Sequence, residues 1–301
     1  MGELFDETMP MGYEELLRSV QKLRHRYKFV QRFSIGRSVL GRKIPAIIIG
    51  TGSHPVLYVG THHALEYLTS MVLMKFAGEL CAHIESGEKF HGRCVKSVMT
   101  RQCVYIIPML NPDGVELHLN GASSAYGMKE KLLRISGGSF ENWQANARGV
   151  DLNHNYNAGF KTLRRMEIDS GITGPAPRQF GGYRPESEPE THALCNLCRR
   201  MLFRRAYAFH SQGEEIYWEY GDRTPKNSLS MAQSLADASG YSVSQQQGLA
   251  SHGGFKDWYI NVFAKPGFTI EIGRGKNPLP PDNLNEVYEK LEKMLVLGLV
   301  L

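Results

Sequence analysis

The sequence contains no hydrophobic run able to cross a bilayer. Its longest mostly apolar stretch, Tyr67 to Ile84, carries Lys75 and Glu79, whereas a spanning helix needs about 20 apolar residues in a row. Cysteine is sparse and odd in number (Cys81, Cys94, Cys103, Cys195 and Cys198), which argues against a complete disulfide framework. The opening MGELFDETMPMGYEELL is acidic where an export signal has a basic patch and an apolar run. Repeats and low-complexity tracts are missing, and with them solenoid and disordered architectures. Basic residues fall in small clusters at 24–28, 164–165 and 199–205, with no aromatic-interleaved stripe or finger motif. No nucleic-acid or membrane partner is therefore expected. These absences together lead to the expectation of a reduced, cytoplasmic protein.

What is present is ordinary globular material. Forty-two per cent hydrophobic and 22% charged residues in 301 lie in the range of folded domains, and the chain is long enough to bury a full core. It reads as one domain, 1–301. The formal charge of +5 suits a small anionic substrate. Apolar spacing predicts a helix over Tyr13–Arg26, and short runs at Val30–Ile35, Ile44–Ile49 and Val56–Val59 predict strands. A hairpin connection is expected over Ile35–Arg42, a long helix from about Glu66 to Ile84, and a strand at Cys103–Ile107 ending in a turn at Pro108–Gly114. Residues 120–176 show little periodicity and read as a long functional loop. Beyond them the pattern gives a helix at Ser187–Met201, a strand ending before His210, helices at Ser228–Ala238 and Phe255–Phe263, a strand at Gly267–Ile272 and a final helix. Alternation of this kind predicts an α/β fold with a mixed sheet flanked by helices. Cys195 and Cys198, three apart on one helix face, are expected to pack as small hydrophobes.

Three segments carry metal chemistry. The run Thr61-His62-His63-Ala64-Leu65-Glu66 lies where a strand gives way to a helix, a usual place for ligands in open α/β sheets. His63 and Glu66 have the spacing to meet one ion, and spacing alone leaves His62 open. His210, at the end of its strand, is the candidate third ligand. Two histidines and a glutamate form a catalytic zinc set that leaves a position for water. Glu271, at the end of an apolar strand, is the candidate general base; a salt bridge would explain it equally.

In chain order, His63-Ala64-Leu65-Glu66, Asn111-Pro112-Asp113-Gly114, Gly149-Val150-Asp151-Leu152-Asn153, Ser187-Glu188-Pro189-Glu190-Thr191, His210-Ser211 and Phe268-Thr269-Ile270-Glu271 resemble the motifs of the zinc metallocarboxypeptidase, carboxypeptidase A-like, family. The resemblance implies a mixed, mostly eight-stranded sheet and one Zn2+ held by His63, Glu66 and His210. It also implies Glu271 as the base that activates water and then protonates the leaving amine, and Asn153 as a donor to a substrate carboxylate. Ser187–Thr191 reads more simply as a helix cap with Glu190 at the third position.

Departures from the family pattern bear on substrate. His154 stands where the family places an arginine that clamps a C-terminal carboxylate, and an imidazole does not reproduce a guanidinium fork. Gln247, Gly248 and Leu249 replace the family's tyrosine, and Gln144 replaces its oxyanion arginine, leaving Arg148 as a substitute. The segments 143–153, 210–218, 253–258 and 273–280 resemble bacterial γ-D-glutamyl-meso-diaminopimelate peptidases. That likeness implies a peptidoglycan stem peptide, L-Ala-γ-D-Glu-meso-diaminopimelate, as partner. Arg148, His154 and Arg274 would read its carboxylates, and Gln212 and Glu214 would orient His210 or bind an amino group. Trp143, Trp218 and Trp258 are candidates for the cleft wall or the core. The rival expectations are a conventional carboxypeptidase and an inactive wall-peptide-binding module.

Overall fold

The computed structural model describes residues 4–246 and 248–301. One eight-stranded sheet organises them, formed by β1 (Gln31–Arg37), β2 (Lys43–Ile49), β3 (His54–Gly60), β4 (Gln102–Ile107), β5 (Ala206–Ser211), β6 (Glu215–Tyr217), β7 (Ser242–Ser244) and β8 (Gly267–Ile272). Their order across the sheet is β1-β2-β4-β3-β5-β8-β6-β7. The central strands β4, β3, β5 and β8 run parallel, while β1 and β2 pair antiparallel, as do β6 and β8. The expected mixed sheet is therefore present.

Ten α-helices accompany it: α1 (Tyr13–Arg26), α2 (Leu68–Ser86), α3 (Val95–Arg101), α4 (Pro112–Asn120), α5 (Lys129–Ser136), α6 (Phe160–Asp169), α7 (Pro189–Met201), α8 (Ser228–Ser239), α9 (Phe255–Phe263) and α10 (Leu284–Gly298). Strand alternation sorts the core into two layers. Val56 and Tyr58 of β3 face a cluster built with α1, α2, α8 and α10. Leu57 and Val59 face a second cluster built with α7 and α9. Both faces are covered, which is why the central strands read as unbroken apolar runs. Cys195 and Cys198 lie in the second cluster, fully buried, and burial pushes both thiols up.

Several expectations are corrected. α2 begins at Leu68, so His63 and Glu66 lie in the tight turn before it rather than in its first turn. The turn expected at Pro108–Gly114 is partly the start of α4, whose N-cap Asn111 accepts a hydrogen bond from the Gly114 amide. The supposed loop 120–176 contains a 3-10 segment over Gly121–Met128, then α5 and α6. α5 buries only Leu132, and α6 buries Phe160, Leu163 and the charged Glu167, too narrow an apolar stripe to show as periodicity. The capping box expected at Ser187 does not form. Glu188 is the N-cap of α7, and the Glu190 carboxylate turns instead to the Val39 amide and to Asn146.

Candidate metal centre

The centre is built at the carboxyl ends of β3, β5 and β8. Parallel register places His210 of β5 beside Glu271 of β8, and Gly60 of β3 beside Phe209. β3 ends on glycine because a Cβ there would lie 2.7 Å from the Pro108 carbonyl oxygen and 3.1 Å from both Leu73 and Thr69. The chain then turns sharply. Thr61 sits at φ 52°, a costly conformation for a β-branched residue, held by the Thr69 hydroxyl 2.8 Å from the Thr61 amide and by Ser70 Oγ 2.7 Å from the Thr61 hydroxyl. The turn presents both His63 and Glu66 toward His210.

One donor atom from each of His63, Glu66 and His210 lies within 4.8 Å of the others. Nδ1 of His63 is 2.9 Å from Glu66 Oε1, Nδ1 of His210 is 3.1 Å from Glu66 Oε2, and the two ring nitrogens are 3.3 Å apart. Two imidazoles and a carboxylate converging in this way suit a borderline cation with nitrogen and oxygen ligands. The structure also separates the adjacent histidines. His62 points its Nε2 at the Tyr156 hydroxyl, 3.0 Å away, and its ring stacks on that of His210 with centroids 5.1 Å apart.

A fourth residue, Asp151, completes the arrangement, and sequence reasoning gave it no role. Its Oδ1 lies 3.1 Å from Nε2 of His63 and accepts the Asn153 amide, while Oδ2 accepts the Gln179 amide. A carboxylate behind a ligating imidazole fixes the ring and raises its basicity. The only signal in the sequence was the general need of such a histidine for an outer partner. Asn111 went unassigned as well: its amide donates to the His62 and Ala145 carbonyls, tying the ligand turn to the start of α4.

Burial dominates the electrostatics, and the charges then sort the groups. For Glu66, burial would push the carboxyl up, yet His63 and the hydrogen bond from His210 hold it at about 2. His63 is itself desolvated, but Glu66 and Asp151 together raise it well above the ordinary imidazole range. A metal-free cluster thus keeps a proton on His63, which a dication would displace. The Glu271 carboxylate makes no hydrogen bond or ion pair among the described residues. Burial, the Glu66 charge and Glu215 lift it to about 8 against the pull of His63, whereas a cation in the cluster would lower it.

The remaining expected residues are spread around this centre. The side-chain amide nitrogen of Asn153 donates to nothing among the described residues, and its Oδ1 accepts the Phe255 amide at the start of α9. His154 is buried with Nδ1 3.1 Å from both Glu167 Oε1 and the Gln179 carbonyl. Burial keeps its pKa below the usual value, so it is not the cation expected of it. Arg148 has its guanidinium 3.6 Å from the Glu188 carboxylate. Arg274, at 76% side-chain exposure, pairs with Glu214 at 2.7 Å, and Lys290 closes on the same carboxylate. Glu214 therefore does not orient His210. Gln212 is exposed, without a hydrogen bond among the described residues. Trp143 and Trp258 belong to the core, while Trp218 is half-buried. Gly248 and Leu249 lie in a short 3-10 turn, and Gln247 lies outside the described residues.

Known proteins share this fold and sequence. The Gamma-D-glutamyl-L-diamino acid endopeptidase 1 of Lysinibacillus sphaericus is 34% identical over 291 residues, covering 96% of this chain and 72% of its own. The crystal structure of thrombin activatable fibrinolysis inhibitor superposes with a TM-score of 0.72 at 19% identity, covering 97% of this chain and 73% of that one. Murein-tripeptide amidase from Escherichia coli O157 gives 0.53 at 23% identity, covering 89% and 91%. At such identities the two structures establish the fold alone. A family model described as zinc carboxypeptidase matches residues 16–293, nearly the whole chain, and the protein belongs to that family.

Proposed function

We propose that the protein hydrolyses the γ-D-glutamyl–meso-diaminopimelate bond of peptidoglycan stem peptides with one Zn2+ held by His63, Glu66 and His210. The observation that carries the reading is the convergence of those three donors beside Glu271, which has no partner of its own. Similarity to an endopeptidase named for the γ-D-glutamyl-diamino acid bond supports the choice of substrate. Zinc bound there supplies a Lewis acid for the scissile carbonyl and acidifies water.

The chain's own groups do the rest. Glu271 takes the proton from the attacking water and delivers it to the leaving amine. Asp151 holds the His63 ring in register. Asn153, its Oδ1 committed to the start of α9, has its amide hydrogens available for a substrate carboxylate.

The test is mass spectrometry of L-Ala-γ-D-Glu-meso-diaminopimelate after incubation with zinc-loaded wild type and Glu271→Gln. Wild type releases diaminopimelate, and the amide variant is slower by about 100-fold or more. Cleavage of a blocked ordinary dipeptide, with the stem peptide left intact, would instead make the protein a conventional carboxypeptidase.

A further inference from the structure

The cations that the sequence assigned to substrate carboxylates do not offer an open cationic site. Arg148 faces Glu188, Arg274 faces Glu214, and His154 is bound to Glu167. A different set has no acidic partner. Lys161, Arg165 and Arg184 are exposed and make no ion pair among the described residues. They line one cavity of about 660 Å3 that also takes in Arg164 and Tyr183 and has no carboxylate in its wall. Tyr183 is 76% exposed and meets Phe180 edge-on, with ring centroids 5.2 Å apart.

This cavity lies next in the chain to the turn that follows Asp151, the partner of His63. One wall, Asn157–Thr162, directly follows the Leu152–His154 turn that carries Asn153. The other wall is stapled to that turn by Asn155, whose amide donates to the Gly181 carbonyl at 2.7 Å, the Arg184 carbonyl at 3.2 Å and Ser187 Oγ at 2.9 Å. Its backbone oxygen also accepts the Glu186 amide at 2.6 Å. Tyr156, two residues past His154, is hydrogen-bonded to His62, whose ring stacks on His210. Extended, L-Ala-γ-D-Glu-meso-diaminopimelate spans about 10 Å, and its carboxylates lie along that length.

We infer that the cavity walled by Lys161, Arg165 and Arg184 is an anion-reading subsite for substrate carboxylates remote from the scissile bond, with Tyr183 covering apolar parts of the same ligand. The inference rests on the wall-peptide reading proposed above. It places recognition of the peptide's charge on α6 and the 183–185 segment, and leaves Arg148 and Arg274 to bind the protein's own carboxylates.

Binding and turnover are measured separately so that the two ideas can fail separately. L-Ala-γ-D-Glu-meso-diaminopimelate is titrated calorimetrically into zinc-loaded Glu271→Gln, with and without Lys161→Ala/Arg184→Ala, at low and at 0.5 M salt. Both replaced side chains are exposed, and the Arg184 carbonyl bonded by Asn155 is untouched. The double variant binds about tenfold more weakly at low salt, and the difference shrinks at high salt. The peptide with its carboxylates amidated binds wild-type and variant cavities alike. Lys96→Ala, an exposed cation on α3, controls for net charge and has no effect. Equal binding by both cavities at low salt overturns the subsite, even if wild type cleaves the peptide. A tenfold loss of binding together with no cleavage keeps the subsite and removes the proposed reaction. Absence of both binding and cleavage removes both.

Discussion

At the scale of single residues, the candidate metal centre rests on a side chain outside the ligand set. Asp151 accepts from Nε2 of His63 while its other oxygen holds the Gln179 amide, so one carboxylate aims the ligand and anchors the loop behind it. Asp151→Asn keeps the size and one acceptor but removes the charge that makes His63 a stronger donor. Zinc affinity, measured by competition against a chromophoric chelator, is expected to fall about 10- to 100-fold, with the circular dichroism spectrum unchanged. Retention of wild-type affinity would mean that the Asp151 contact only packs the loop. The three candidate ligands were legible in the sequence because ligand chemistry restricts residue type and spacing. The choice of His63 over His62 was not, since it turns on Tyr156, 94 positions away in sequence from His62. For a related reason the surroundings of the expected carboxylate readers were not legible: tertiary neighbours put Glu188 beside Arg148 and Glu214 beside Arg274, and burial holds His154 below its usual pKa.

At the scale of elements, the start of α7 stores an acid–base cost beside the site. Glu190 is fully buried, and burial first, then Asp113 and Glu188, raise its carboxyl from 4.5 to about 8. Folding therefore favours the protonated form. The associated stability is complete below the unfolded value near 4.5 and is lost as pH rises through about 8. Urea melts of wild type should lose stability across that window, while Glu190→Gln, a permanent mimic of the protonated acid, should lose less. A constant offset from the amide leaves the slope with pH unchanged, so the slope is the informative quantity; equal slopes would remove Glu190 as the cause. The same element shows what sequence can reveal. The span of α7 was readable from its apolar face and from Pro189 at its first turn, but its buried acids were not, because Glu188 and Glu190 share the Asn146 amide from a distant loop. Central strands were readable as apolar runs, whereas β6 and β7, three residues each, are too short to show alternation.

At the scale of the whole molecule, the candidate metal centre joins parts of the chain that are distant in sequence and not cross-linked. His63 and His210 are 147 positions apart, and all five cysteines are free thiols, so no disulfide fixes the carboxyl ends of β3 and β5 relative to each other. An ion bound to both, and absent from the unfolded chain, stabilises the fold by mass action, about 2.7 kcal/mol at a hundredfold excess over Kd. In a domain of this size that corresponds to a rise in Tm of roughly 5 °C. Thermal melts are therefore run on wild type and His210→Ala, each with zinc and with chelator. Truncating a buried histidine lowers Tm by itself, so the comparison lies within each protein: wild type gains several degrees from zinc, and the variant gains little. The reading also fixes a second observable. Because Glu66 and Asp151 keep His63 protonated in the metal-free cluster, zinc binding releases a proton, and its calorimetric enthalpy should change with the ionisation enthalpy of the buffer. A wild-type Tm indifferent to zinc, or a zinc gain that survives His210→Ala, would place the ion elsewhere and remove the metal centre described here.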